Sequence, residues 1–135
     1  MTYIPDDLRL QVRKRANYRC EYCRMPEGYS FHIHEIDHIY AEKHGGETIE
    51  SNLCLSCWVC NRHKGTDLTS FDPDTGVITP LFHPRNHRWE NHFRLSGAII
   101  ESLSATGRTT ITLLQLNRRE RVDERQILIS LGQYP

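Results

Sequence analysis

Cysteine and histidine are the side chains through which this sequence offers most chemistry, with five of the first and eight of the second in 135 residues. Cys20 and Cys23 form one C-x2-C pair, Cys57 and Cys60 form a second, and Cys54 is left over. Two intervening residues let a tight turn aim both sulfurs at one point, about 2.3 Å from a shared Zn²⁺, and two such pairs make a tetrahedral thiolate set. One pair alone would equally suit a thioredoxin-like dithiol, but no strand–helix pattern around Cys20 favours that redox reading. Cys54 stands three residues before Cys57, so Cys54–Cys57 competes as the second pair. Cys57–Cys60 is preferred because Trp58-Val59 and the following Asn61-Arg62-His63-Lys64-Gly65 suit a turn entering a helix. Most of the histidines fall in two windows, 32–44 and 83–92.

Composition narrows what this chemistry can serve. Seventeen basic and seventeen acidic residues cancel, so contact with a polyanion must come from the distribution of charge and not from its sum. Arg13, Lys14, Arg15 and Arg19 crowd one stretch, and Arg118, Arg119, Arg121 and Arg125 another; a solvated helix face explains either cluster taken alone. Apolar residues make up 38%, and no run approaches the roughly 20 needed to cross a membrane. The opening Met-Thr-Tyr-Ile-Pro-Asp-Asp has neither a basic nor an apolar leader region, so the expectation is a cytoplasmic protein with reduced thiols.

The elements that must position these residues follow from local patterns. Residues 5–16 predict a helix: Pro5 and Asp6-Asp7 at its start, Arg13-Lys14-Arg15 at its end, and Leu8, Val12 and Ala16 as a buried stripe. Residues 31–39 predict a strand, 40–50 with Gly45-Gly46 a loop, Leu53 to Cys57 a second strand, and Trp58 to Lys64 a short helix stopped by Gly65. Phe71-Asp72-Pro73-Asp74-Thr75-Gly76-Val77-Ile78 reads as a hairpin. Strands are expected around Trp89–Leu95 and Ala98–Leu103. Helices are expected over Thr109 to Asn117 and 120–131, the last with Val122, Ile127 and Leu131 inward. Phe82, Trp89 and Phe93 are expected in the core, Cys54 as a buried free thiol, His32 and His34 at exposed strand positions, and His83, His87 and His92 in structural or surface roles.

Within 31–65, Asp37-His38, Asn52, Asn61 and Lys64 stand out in that strand–loop–strand–helix order. Together with Cys20-x2-Cys23, Glu35-Ile36-Asp37-His38-Ile39, Gly45-Gly46, Asn52-Leu53 and Cys57-x2-Cys60-Asn61-x2-Lys64-Gly65, the arrangement resembles the HNH endonuclease family, the ββα-metal nucleases. The likeness covers about residues 16 to 66, and 71–135 resembles the extension of some short bacterial HNH proteins. It implies an α+β fold: a zinc-stapled ββα core, an N-terminal helix, and a C-terminal β-hairpin plus helices extension, all in one domain over 1–135.

The resemblance also implies roles. His38 becomes the general base for the attacking water, Asp37 and Asn61 the catalytic ligands of one Mg²⁺ or Mn²⁺, and Asn52 the residue that orients His38 by a hydrogen bond. Lys64 and Arg62 become nucleic-acid contacts, Lys64 holding a phosphate. Asn61 stands where the family often has histidine, and His63, two residues on, faces away on a helix. Asp37 and His38 are neighbours on a strand, whose side chains point to opposite faces, so both serve one site only if the strand twists or ends there. The implied activity is metal-dependent hydrolysis of phosphodiester bonds in double-stranded DNA, by a monomer or homodimer without a membrane partner. The alternative is a non-catalytic zinc-stapled module that binds nucleic acid or protein.

Overall fold

A computed structural model of the chain describes residues 2–29 and 33–135. Helix α1 (Asp6–Arg15) opens it, with both aspartates in the first turn and three basic residues in the last, each complementing the helix dipole. Val12 is fully buried on its inner face, packed with Leu8, Ala16, Ile4 and Ile36 against Leu53 and Leu55. Arg15 ties the helix to the strand below by donating to the Leu53 carbonyl at 2.7 Å.

Strands β1 (His34–His38) and β2 (Leu53–Cys57) pair antiparallel, His34 opposite Cys57 and His38 opposite Leu53. The strand was expected from residue 31; Phe31 and His32 lie outside the described residues. β1 ends at His38, as a shared role for Asp37 and His38 requires. Chain direction then reverses through a long loop, and β2 runs straight into α2 (Trp58–Lys64). Cys57 joins the two: it ends the strand, caps the helix, and its sulfur accepts the Cys60 N–H at 3.4 Å. Gly65 stops the helix at φ +54. The order is β–β–α.

The loop between β1 and β2 is closed by its glycines and by Asn52. Gly45 sits at φ +84, a conformation that favours glycine, and a Cβ on Gly46 would fall 1.7 Å from the Tyr40 carbonyl oxygen. The buried Asn52 side chain accepts from Tyr40 N at 2.9 Å and donates to Tyr40 O at 3.0 Å and Glu47 O at 2.9 Å.

The remaining residues wrap this core. β3 (Thr69–Phe71) and β4 (Ile78–Pro80) form the expected hairpin. Asp72 in its turn is buried against Arg108 at 2.7 Å; that bond and the Asp74 N–H hold its carboxyl well down, at about 2. Residues Trp89–His92, expected as strand, instead form one helical turn, α3. The Trp89 indole N–H reaches the Tyr22 carbonyl at 2.9 Å, and its ring packs on Phe93, which starts β5 (Phe93–Ser96). β6 (Ile99–Ser102) pairs with β5 across Gly97. Helices α4 (Ala105–Leu114) and α5 (Arg119–Ser130) follow. One apolar cluster joins Cys20, Tyr22, Cys57 and Cys60 to Phe82, Phe93, Leu114, Leu128 and Tyr134.

α5 corrects the expected inner face. Ile127 and Leu131 are exposed and Val122 is half-buried, while Arg121, Arg125 and Leu128 are buried. Hydropathy assigns arginine to solvent, but this helix packs onto sulfurs and carbonyls that bind guanidinium. No helix among the described residues is long and apolar enough to cross a membrane.

Candidate active site and metal centre

The four cysteines expected to act together do so. The sulfurs of Cys20, Cys23, Cys57 and Cys60 all lie within 4.8 Å of one another, and those of Cys23 and Cys57 are 3.7 Å apart. Tetrahedral bonds of about 2.3 Å place ligand sulfurs about 3.8 Å apart, close to the Cys23–Cys57 separation, so the cluster fits Zn²⁺. Both pairs form the same knuckle, with Cys23 N donating to the Cys20 sulfur at 3.5 Å and Cys60 N to the Cys57 sulfur at 3.4 Å. Hydrogen bonds from Cys20, Cys57 and Cys60 hold the Cys23 thiol well below its ordinary range while Cys57 and Cys60 are pushed up, as expected of buried thiols crowded together. Cys54 stays outside the cluster. It is fully buried beside the Tyr22 hydroxyl, and burial pushes its thiol well up, as expected of an inert thiol.

A second group of polar side chains gathers where β1 faces α2. Glu35 and Asp37 alternate onto the same face of the strand. The Asn61 side-chain amide donates to Glu35 Oε2. Asp37 lies within electrostatic reach of Lys64, His38 and Glu35, yet burial dominates and pushes its carboxyl up to about 6. Its Oδ2 is buried with no hydrogen-bond partner among the described residues. A carboxylate oxygen kept from water and given no N–H is an unsatisfied acceptor. With an amide N–H turned toward Glu35, Asn61 has a side-chain carbonyl oxygen that accepts no hydrogen bond among the described residues. Both are hard oxygen donors of the kind Mg²⁺ and Mn²⁺ take.

His38 stands at the end of β1, half-buried, with Nε2 hydrogen-bonded to the Thr48 hydroxyl at 2.9 Å and 3.6 Å from the Glu42 carboxylate. Its Nδ1 makes no hydrogen bond among the described residues. Asn52 was expected to bond His38 directly. Its side chain instead bonds the backbone of Tyr40 and Glu47, and its own carbonyl accepts Ile39 N at 2.8 Å. Asn52 therefore positions the segment just after His38 and does not touch the ring.

Lys64 also departs from expectation. It is 2% exposed, and its ammonium donates to the Ile39 carbonyl at 3.0 Å, where it braces the end of β1 and is not presented to a phosphate. Arg62 is exposed, its guanidinium 4.5 Å above the Trp58 ring. His63 feels burial and the charges of Arg121 and Arg118, so it faces α5 and not the Asp37 cluster. His34 is buried and donates to the Met25 carbonyl at 2.8 Å, where an exposed position was expected. His83, His87 and His92 serve structure: His83 Nδ1 accepts Arg85 N and Asn86 N, His87 Nδ1 accepts His83 N, and His92 bonds Ser104. Of these, His87 and His92 pack around Phe82.

Sequence reasoning assigned no role to Glu35, Thr48 or Arg121. Period-two spacing from Asp37 would have put Glu35 on the same face of the strand as Asp37; nothing local marks the other two.

Residues 20–67 match the sequence model of the HNH endonuclease family. Over 124 residues, 90% of this chain, the sequence is 24% identical to the Septu protein PtuB of Bacillus thuringiensis, and it spans 46% of that protein's length. No solved structure matches the chain.

Proposed function

From the premise that residues 20–67 are an HNH domain, we propose that this chain is a metal-dependent endonuclease hydrolysing phosphodiester bonds of double-stranded DNA. The observation that best supports the reading is the buried, unpartnered Oδ2 of Asp37, on the same face of β1 as the Glu35 that accepts the Asn61 amide N–H. Buried polar groups are ordinarily hydrogen-bonded, and a divalent cation would supply this oxygen with the partner it lacks.

Asp37 and Asn61 would hold one divalent ion, Mg²⁺ or Mn²⁺. When bound, that ion supplies Lewis-acid stabilisation of the scissile phosphate and the departing 3′ oxygen. His38 would take a proton from the attacking water at Nδ1 while Thr48 fixes the ring through Nε2. Asn52 and Lys64 hold the backbone around His38 and Ile39 in place. The four cysteines hold Zn²⁺ as a brace for β2 and α2 and take no part in the chemistry. Arg62, exposed on α2, would meet the DNA backbone.

Supercoiled plasmid incubated with the purified chain tests this. Nicked or linear product should form with Mg²⁺ or Mn²⁺ and stop reversibly on chelation mild enough to leave Zn²⁺ in place. Equal cutting with and without added ion argues against it. Binding of DNA with no cutting under any ion favours the non-catalytic module.

A further inference from the structure

The thiolate cluster has a cationic partner that lies outside the segment matching the HNH family. Arg121, on α5, is 7% exposed, and its Nη2 donates to the Cys60 sulfur at 2.9 Å and approaches the Cys57 sulfur at 3.7 Å. Its Nη1 donates to Leu114 O at 2.8 Å and to Gln115 O at 3.3 Å, the negative end of α4. Both halves of one guanidinium are thus engaged, one by sulfur and one by a helix terminus. One turn later Arg125, fully buried, donates to Ala98 O at 2.7 Å and Asn117 Oδ1 at 3.1 Å. Its Nη1 is buried with no partner among the described residues.

Charge explains why two arginines tolerate this burial. Four thiolates around one Zn²⁺ leave two formal negative charges inside the protein, and an unbalanced buried charge is costly. Two guanidiniums on the adjoining helix face balance it. Outer donors to metal ligands also fix ligand orientation and tune affinity.

We propose that Arg121 is a positioning residue of the zinc site: its N–H groups bind the Cys60 and Cys57 thiolates, so that the C-terminal extension holds the metal and the metal in turn docks α5. Arg125 completes the charge balance. This goes beyond the nuclease reading and stands whether or not the chain cuts DNA.

The test loads the full chain with Zn²⁺ and follows metal release to a chromogenic chelator, with far-ultraviolet circular dichroism as the check on folding. Arg121→Met keeps the length of the side chain and removes its N–H groups and charge; Zn²⁺ release should quicken by about tenfold to a hundredfold. Arg119→Met, an exposed neighbour on the same helix, should release at the parental rate. Replacing Zn²⁺ with Co²⁺ adds a reading at the sulfurs themselves, since losing an N–H···S bond moves the thiolate-to-cobalt charge-transfer band. If Arg121→Met does not fold, Arg121→Lys is read in the same two ways and should lie between. A folded Arg121 variant that releases Zn²⁺ at the parental rate with an unmoved cobalt band overturns the proposal, as does a chain that binds no Zn²⁺.

Discussion

Glu35 accepts the side-chain amide N–H of Asn61, linking the first strand of the core to its helix. The bond fixes which way the Asn61 amide is turned, and under the proposed mechanism its carbonyl oxygen would meet the divalent ion. Glu35→Gln keeps an acceptor at the same place, whereas Glu35→Ala removes it. The Mg²⁺ concentration for half-maximal cleavage should stay within about threefold in Glu35→Gln and rise about tenfold or more in Glu35→Ala. Two variants that both match the parent would make Glu35 a bystander. Equal losses in both would mean that its charge, and not its hydrogen bond, is what matters.

Asp37 exchanges stability for a site. Burial outweighs the attraction of Lys64 and His38 and leaves the ionised carboxylate disfavoured, with its carboxyl pushed up to about 6. Asp37→Asn should therefore abolish metal-dependent cutting and, at neutral pH in the absence of the divalent ion, stabilise the fold by on the order of 1–3 kcal/mol. Thermal melts of the two zinc-loaded proteins measure this. A variant that melts lower than the parent would show that Asp37 is a structural residue.

Asn52 closes the loop from residue 40 to 52 with three side-chain hydrogen bonds to backbone. Asn52→Ala should cost about 1–3 kcal/mol because buried backbone groups of Tyr40 lose their partner. Cleavage should fall mainly in kcat, since His38 is displaced while the ligands on β1 and α2 stay put. Denaturant melts and steady-state kinetics on a short duplex separate the two effects. Parental stability with a raised KM alone would point to a direct contact between Asn52 and DNA.

Much of this arrangement was legible in the residues because its signals are local. The spacing of Cys20-Cys23 and Cys57-Cys60 announces a four-sulfur cluster, and Gly45-Gly46 a closed loop. Long-range partners were not legible. Lys64 looks like a surface cation until Ile39 supplies a carbonyl 25 residues away, and Arg121 looks solvated until sulfurs more than 60 residues away receive it. Hydropathy misplaced the inner face of α5 for the same reason: it assigns charge to water and has no way to anticipate a buried thiolate cluster. Asn52 misled differently, because its residue type correctly marked an ordered loop but did not say which backbone it would hold.

Removing the imidazole at position 38 from a zinc-loaded protein tests the central claim most directly. His38→Ala should retain its Zn²⁺ content and circular dichroism, because the ring bonds only Thr48 and approaches Glu42 among the described residues. Its rate on supercoiled DNA with Mg²⁺ or Mn²⁺ should fall about 10²- to 10⁴-fold. A folded, zinc-replete His38→Ala protein that cuts as fast as the parent would contradict the account.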